Sequence, residues 1–325
     1  MLEEDLHGNG PSPTHEIVNG YCFFHGELRP LGEANVSIAT HALNYGTGCF
    51  EGIRAYWNEE QGQLYVLKAK EHFQRFLRSC RILKIACPYT ADELVDWTVR
   101  MLAKNEYREN VYIRPLAFKA STVVKVTLSG LRDEVAIYSV PMGDYVKTEG
   151  LSAVVSNWQR VSDNILPSRA KVTGGYINAA LANDAAVADG YDEAIMLSGD
   201  GHVSEASSSN LFMVRDGVLV TTPITADILE GITRKAILQV ATDLGIPYEV
   251  RPVDRTELYV AEEMFLAGTG AQISSITSVD RREVGDGVTG VLTHSLQELY
   301  FRAVRGMEEK YVDWLTPVYG RTANS

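Results

Sequence analysis

The sequence predicts a soluble α/β protein organised as one large or two ordinary domains. Its 325 residues are ample for a sizeable core. Short apolar runs typical of strands are interspersed with longer runs of helical period. A hydrophobic content of 45% with 22% charged residues is that of a soluble globular protein. No uninterrupted apolar run approaches transmembrane length.

The net charge excludes some classes of binding partner, and the cysteine spacing indicates the cellular compartment. A net charge of -12 argues against nucleic acid or an anionic membrane as the main partner. An anionic ligand would therefore need local basic groups. Cys22, Cys49, Cys80 and Cys87 lack C-x-x-C or zinc-type spacing, so we expect reduced thiols in a cytoplasmic protein.

The first half of the chain predicts a series of strands and two helices. Residues 1–16 are acidic and broken by Gly and Pro, which favours a mobile arm. Residues 121–132 predict a strand or flap, and Pro141 to Lys147 contains a Pro-Gly break. The other predicted elements are a hairpin over 17–30, strands over 64–67, 111–117 and 135–140, and helices over 70–80 and 91–105.

A loop rich in glycine and aromatic residues runs from Thr40 to Tyr56. Its glycines would let the backbone approach a ligand closely, and Tyr45, Phe50 and Tyr56 would line that ligand. The alternative is a glycine-broken pair of buried strands. The predicted strand that follows, over 111–117, carries Tyr112 and Arg114 on one side. Buried polar groups are costly unless paired, so this pair is a candidate site for a substrate carboxylate.

The stretch from Lys171 to Asn210 brings a lysine, a tyrosine and a glutamate into one compact unit. Lys171 precedes a Gly-Gly break, Tyr176 begins an alanine-rich helix that runs to Ala188, and Glu205 ends the second of two short strands. A pyridoxal-type aldehyde cofactor needs such a trio. The lysine amine forms a Schiff base, a carboxylate keeps the pyridine nitrogen protonated, and a tyrosine hydroxyl bonds the ring oxygen. Taken singly, Lys171 and Glu205 are residue types that mostly lie on protein surfaces without such a role.

Two turns in the second half could bind anions. Gly231-Ile232-Thr233 begins a predicted helix over 235–244, where free N–H groups and the helix dipole favour negative charge. Ordinary capping by the threonine is the alternative. The turn from Ala267 to Ala271 follows a predicted strand over 264–266, and its small residues allow close approach to the backbone. The tail predicts one long helix over 293–311.

Several separated motifs resemble those of the class IV (fold-type IV) pyridoxal-phosphate aminotransferases, most closely the branched-chain amino acid aminotransferases. They are K-x-x-G-x-Y-x-N from Lys171, G-Y-x-E-A-I from Gly190, S-E-x-x-x-x-N-L-F from Ser204, and Y-I-R-P from Tyr112. The resemblance covers about Ile17 to Trp314. It implies a two-domain α/β fold, with an arm (1–16), a small domain (17–139), an interdomain loop (140–147) and a large domain (148–325). The cofactor would lie between the domains.

The resemblance also implies roles for individual residues. Lys171 would be catalytic. Pyridoxal 5'-phosphate would be held by Arg75 of an H-x-x-R element, Lys171, Tyr176, Glu205, Ile232, Thr233 and Thr269. Substrate would be contacted by Tyr45, Phe50, Gly52, Tyr112, Arg114, Met142, Tyr145, Gly270 and Ala271.

The implied activity is transfer of the amino group of branched-chain L-amino acids to 2-oxoglutarate by a cytoplasmic homodimer. Met142 and Gly270 depart from the residues usual at those positions, which bears on selectivity. An (R)-selective amine or D-amino acid transaminase of the same fold is therefore the alternative. An aminodeoxychorismate lyase-like enzyme and a non-catalytic binding protein are further alternatives, and the second of these predicts a colourless protein indifferent to loss of Lys171.

Overall fold

The computed structural model describes residues 19–143 and 150–320. The predicted arm of residues 1–16, the predicted substrate residue Tyr145 and residues 144–147 of the predicted interdomain loop lie outside the described residues. Within the described ranges, no helix is both long enough and apolar enough to cross a membrane.

The α-helices lie between runs of strands along the described chain. The helices are α1 (His41–Tyr45), α2 (Ala69–Ile82), α3 (Ala91–Asn105), α4 (Tyr176–Ala188), α5 (Ile232–Asp243) and α6 (Val291–Ala303). The strands are β1 (Tyr21–Phe24), β2 (Glu27–Pro30), β3 (Gly48–Phe50), β4 (Ile53–Asn58), β5 (Gln63–Leu67), β6 (Val111–Lys119), β7 (Asp133–Pro141), β8 (Leu151–Val155), β9 (Glu193–Leu197), β10 (Val203–Ala206), β11 (Asn210–Arg215), β12 (Val218–Thr221), β13 (Tyr248–Val250), β14 (Glu263–Gly268), β15 (Gln272–Val279), β16 (Arg282–Glu283) and β17 (Leu315–Pro317).

The first sheet has the strand order β17-β5-β4-β6-β7-β1-β2, and β3 pairs with the far end of β6. Strict alternation along β6 gives the sheet two different faces. Val111 and Ile113 join the core that α2 and α3 cover. Tyr112 and Arg114 occupy the opposite face, so this face of the sheet is polar and aromatic.

The second sheet has the order β10-β9-β8-β15-β14-β11-β12-β13, with β16 paired to β15. One of its cores also contains Tyr56 and Leu67 from the first sheet, packed with Phe212 and Phe265. The two sheets therefore share buried apolar surface. The C-terminal strand β17 returns to pair with β5, while the domain boundaries near residues 139 and 148 stay a prediction.

Most predicted elements match the structure, and the differences are local. The helix predicted over 293–311 is wrong in its second half, since α6 ends at Ala303 and Gly306 adopts a left-handed φ of 74°. A separate 3-10 helix then spans Glu309–Trp314. Of the strand or flap predicted over 121–132, the strand is absent. The glycine-rich stretch after Thr40 contains the short helix α1 and then the buried strands β3 and β4, separated at Gly52, which confirms the alternative of a glycine-broken pair of buried strands.

Candidate active site

The backbone of Lys171 is fixed by elements from the first half of the chain. Its carbonyl accepts a hydrogen bond from the Phe50 N–H at 3.0 Å, and its N–H donates to Ser79 Oγ of α2 at 3.2 Å. The Lys171 amine hydrogen-bonds the Tyr176 hydroxyl and lies 5.1 Å from the centre of the Phe50 ring. The structure thus brings Lys171, Tyr176 and Phe50 together.

Two glycines permit this approach of the two halves. Gly46 ends α1 with a left-handed φ of 64°, and a Cβ there would lie 2.9 Å from the Gly174 Cα. Gly174 belongs to the 3-10 turn (Thr173–Gly175) that leads into α4. Side chains at these positions would push the Lys171 segment away from the first sheet.

Glu205 is a buried carboxylate with several partners. One oxygen accepts from the Arg160 guanidinium at 2.6 Å, and the other accepts from Asn210 Nδ2 at 2.8 Å. The Leu229 N–H donates to the same carboxylate at 3.2 Å. Burial raises the pKa of Glu205, and the charges of Arg160 and Lys171 only partly oppose that rise.

Arg75 lies on α2 and is almost fully buried. Its Nε and Nη2 donate to the two oxygens of Glu51, each at 2.7 Å. Its Nη1 donates to the carbonyl of Glu230 at 2.9 Å. The residue Glu230 immediately precedes the turn that begins α5, so Arg75 lies beside that helix N-terminus.

The turn before α5 has the features of an anion site. Gly231 is the N-cap, and no side chain within residues 19–143 and 150–320 caps this helix, which leaves the N–H groups of its first turn without a capping partner. Ile232 and Thr233 are the first residues of the helix and are buried. The guanidinium of Arg75 adds positive charge beside them.

The second glycine turn lies next to the first. Thr269, Gly270 and Ala271 connect β14 to β15. The strand β14 pairs with β11 so that Ala267 lies opposite Asn210, and a Cβ on Gly231 would lie 2.0 Å from the Asn210 amide oxygen. Asn210 therefore connects Glu205 and both turns.

The polar face of the first sheet closes the other side of the site. Arg114 Nη2 donates to the Tyr112 hydroxyl at 3.1 Å. The Arg114 guanidinium carbon lies 4.5 Å from the centre of the Phe50 ring. A Cβ on Gly52 would lie only 2.1 Å from the Tyr112 hydroxyl oxygen. These four residues form one contact group, in which Phe50 contacts both Arg114 and Lys171.

The remaining predicted residues vary in their placement. Met142 offers its carbonyl to Arg54 Nη2 at 3.1 Å. Tyr45 is 37% exposed, and its ring packs against His41 with centroids 4.6 Å apart. No contact among the described residues joins Tyr45 to Lys171. Tyr56 is fully buried in the core that the sheets share.

Four residues of the site were not predicted from the sequence, namely Glu51, Arg54, Arg160 and Asn210. Glu51 and Arg54 are charged residues in an apolar, glycine-containing stretch, and buried charge is expensive unless it is paired. That cost was a signal for both. Asn210 belonged to the motif that begins at Ser204, although no role was assigned to it, and Arg160 carried no comparable signal in the sequence.

A cleft opens beside these groups. Arg160, Lys171, Tyr176 and Leu229 are among the residues that line it. Arg160 and Leu229 also bind Glu205, so the buried carboxylate lies directly behind residues that line the cleft with Lys171.

Comparison with known proteins gives consistent results. The model of the family described as "Amino-transferase class IV" matches residues 48–279. A probable branched-chain-amino-acid aminotransferase of Aquifex aeolicus (strain VF5) is 46% identical over 303 residues, or 93% of this chain and 97% of that protein.

Two solved structures are also similar to this chain. A branched-chain aminotransferase from Thermoproteus uzoniensis with norvaline has a TM-score of 0.89 at 44% identity, covering 93% of this chain and 100% of the other. The T.th. branched-chain amino acid aminotransferase complexed with N-(5'-phosphopyridoxyl)-L-glutamate has a TM-score of 0.88 at 38% identity, covering 92% and 99%.

Proposed function

Since the chain belongs to the class IV aminotransferase family, we propose that it transfers the amino group of branched-chain L-amino acids to 2-oxoglutarate, with pyridoxal 5'-phosphate as cofactor. The observation that carries this proposal is the Lys171 amine, which hydrogen-bonds Tyr176 in a cleft lined also by Arg160 and Leu229, the residues that bind the buried carboxylate of Glu205. The names of the similar proteins support the substrate class, and one of those structures contains a phosphopyridoxyl group joined to L-glutamate.

The residues present fit the three chemical groups of this cofactor. Lys171 offers an amine for the aldehyde, and Glu205 offers a carboxylate for the ring nitrogen. Arg75, the uncapped N-terminus of α5 at Ile232 and Thr233, and Thr269 in the neighbouring turn offer donors for a phosphate. When bound, the cofactor supplies an aldehyde that forms a Schiff base with an amine and a ring that accepts electrons.

Lys171 moves the proton in this proposal. The amine is half-buried between aromatic rings, 5.1 Å from the Phe50 centroid and 5.0 Å from that of Tyr176. Its Nζ would take the proton from the substrate α-carbon and would deliver it to the former aldehyde carbon in the same half-reaction, and the second half-reaction would reverse this transfer. Tyr176 orients Nζ through their hydrogen bond, and Phe50 limits the access of water.

Glu205 supplies negative charge at a place that excludes water. Arg160, Asn210 and the Leu229 amide fix the orientation of its two oxygens. A carboxylate held in this way keeps a neighbouring basic nitrogen protonated. Glu205 therefore acts as the partner of a protonated ring nitrogen.

In this proposal, the polar and aromatic face of the first sheet recognises the substrate. Arg114 and Tyr112 offer a guanidinium and a hydroxyl to carboxylates, and Gly270 with Ala271 offers backbone donors. Phe50, Gly52 and Met142 are proposed to contact an aliphatic side chain, as is Tyr145, which lies outside the described residues. Tyr45 contributes at the exposed rim.

We further propose that the protein forms a homodimer through an apolar surface beside the site. Ile38 is 87% exposed and Val124 is 94% exposed, and the segments that carry them are joined where His41 bonds the Ser121 and Lys125 carbonyls. Large exposed apolar side chains in one region mark an association surface. The mass in solution, measured by light scattering for wild type and for Val124→Glu, tests this directly.

The test of function is a half-reaction. Purified protein loaded with pyridoxal 5'-phosphate is mixed with excess L-leucine and no keto acid. The visible absorption band of the bound cofactor is expected to disappear as a keto acid is released, and added 2-oxoglutarate should restore it. Lys171→Ala should show neither change. If D-alanine or (R)-1-phenylethylamine bleaches the band while L-leucine does not, the proposed substrate class is wrong.

A further inference from the structure

The carboxylate of Glu51 lies at the centre of a fully buried polar cluster. The residue has 0% exposure, and its two oxygens accept hydrogen bonds from Arg75 Nε and Nη2 at 2.7 Å each. The oxygen that accepts from Nη2 also contacts His72 Nδ1 at 2.9 Å. Both partners of the carboxylate are themselves buried.

The contacts with Glu51 determine which donors Arg75 has left. A guanidinium carries five N–H groups in one plane. Glu51 takes two of them and the carbonyl of Glu230 takes a third at 2.9 Å. One N–H remains on each terminal nitrogen. Since the bidentate contact with Glu51 fixes the plane, it also fixes the direction of these two donors.

The backbone of Glu51 is as well anchored as its side chain. Its N–H donates to the Pro115 carbonyl at 2.9 Å, and the preceding residue, Phe50, donates to the Lys171 carbonyl at 3.0 Å. His72 lies one turn before Arg75 on α2. Burial lowers the pKa of His72, so a neutral imidazole donates its Nδ1 proton to the carboxylate.

We propose that Glu51 is a positioning residue that orients Arg75 toward the phosphate of the cofactor. The proposal rests on the proposed function, because Arg75 needs a phosphate to bind. The effect that positioning predicts for neutralising Glu51 is opposite in sign to the effect that charge alone predicts. A negative carboxylate beside a phosphate site repels the ligand, so charge alone predicts tighter binding when Glu51 is neutralised. Positioning predicts weaker binding.

The experiment compares two ligands that differ only in the phosphate. Dissociation constants of pyridoxal 5'-phosphate and of unphosphorylated pyridoxal are measured on cofactor-free protein for wild type, Glu51→Gln and Glu51→Asp. We expect Glu51→Gln to weaken binding of the phosphorylated ligand by about tenfold or more, the effect of losing one charge-assisted hydrogen bond. Binding of pyridoxal should be unchanged.

Two further variants separate positioning from general damage. Glu51→Asp keeps the charge but is one methylene too short for the bidentate contact, so it should also lose affinity for the phosphorylated ligand alone, even if Glu51→Gln fails to fold. Glu71→Gln is the matched control, since Glu71 lies on the same helix and its side chain is 45% exposed.

Each other outcome has a definite meaning. Equal or tighter binding of pyridoxal 5'-phosphate by the Glu51 variants would overturn the inference, and so would an equal loss for both ligands, which indicates a purely structural role. If wild type binds neither ligand, the proposed function itself fails and the inference fails with it.

Discussion

Replacing Gly52 by alanine should damage substrate recognition while leaving the cofactor site intact. Gly52 is buried between β3 and β4. A Cβ at this position would lie 2.1 Å from the Tyr112 hydroxyl oxygen, 2.9 Å from Cζ and 3.2 Å from Cε2. The φ angle of Gly52 is not positive, so alanine brings no backbone strain. Its effect should come from this contact alone.

The size of the effect follows from the distances. A carbon and an oxygen that are not bonded approach to about 3.3 Å, so the Tyr112 hydroxyl must move by about 1 Å. That movement breaks its 3.1 Å hydrogen bond with Arg114. A misplacement of about 1 Å can cost about 10²-fold in rate. We therefore expect kcat/KM for L-leucine to fall by about 10-fold to 100-fold, with the affinity for pyridoxal 5'-phosphate unchanged.

Steady-state kinetics with L-leucine and 2-oxoglutarate measure this, and Gly199→Ala is the control. A Cβ on Gly199 would meet nothing within 4 Å. A second test is Tyr112→Phe, which removes the hydroxyl oxygen that makes the shortest of these contacts. Adding Gly52→Ala to that variant should cost less than adding it to wild type. Wild-type kcat/KM in Gly52→Ala, or strictly additive losses, would refute the reasoning.

Three other predictions concern the remaining buried groups. Because the pKa of Glu205 is raised, its ionised form destabilises the folded, cofactor-free protein at pH values above 4.5, the ordinary pKa of a glutamate, and not below it. Glu205→Gln should therefore raise the free energy of unfolding measured by urea titration at pH 7. A lower free energy of unfolding in this variant would contradict the argument. Arg54 donates to the carbonyls of Met142, Gly143 and Gly270. Arg54→Lys should raise KM for L-leucine by about tenfold, because one ammonium group cannot replace the several donors of a planar guanidinium. An unchanged KM would exclude a role of Arg54 in holding these substrate-contacting segments. Cys22 and Cys49 are buried, and the pKa values of their thiols are raised. Both should therefore react with a thiol reagent at pH 8 only after denaturation. Rapid labelling of either cysteine in the native protein would contradict that burial.

The sequence was sufficient for features whose cause is local. Lys171 and Tyr176 are five residues apart on either side of a Gly-Gly break, and the structure joins their side chains. The turn Gly231-Ile232-Thr233 lies at a helix N-terminus as predicted, although the helix begins at Ile232 rather than at residue 235 and Gly231, not the threonine, is the N-cap. Tyr112 and Arg114 share a face because strand residues alternate. In each case the spacing alone determined the geometry.

The partners of these residues could not be predicted, because they are distant in the chain. Glu51 and Arg75 are 24 residues apart, whereas Arg54 and Gly270 are 216 apart. No period or propensity relates such positions. The pairing of β17 with β5 in the first sheet could not be predicted for the same reason, since it depends on the whole fold between β5 and Leu315. Only the cost of burying a charge indicated that Glu51 and Arg54 needed partners somewhere.

The pKa values of the two buried carboxylates of the site, Glu51 and Glu205, are shifted in opposite directions. Burial raises the pKa of Glu51, but the adjacent Arg75 guanidinium and the hydrogen bonds from Arg75 and His72 outweigh it and lower that pKa to about 2. At Glu205 burial prevails over Arg160 and the Leu229 amide, and the pKa rises. Glu51 is thus fully compensated by the protein alone, as suits a residue that only orients a neighbour. Glu205 is short of positive charge, and a protonated ring nitrogen would supply that charge where the protein does not.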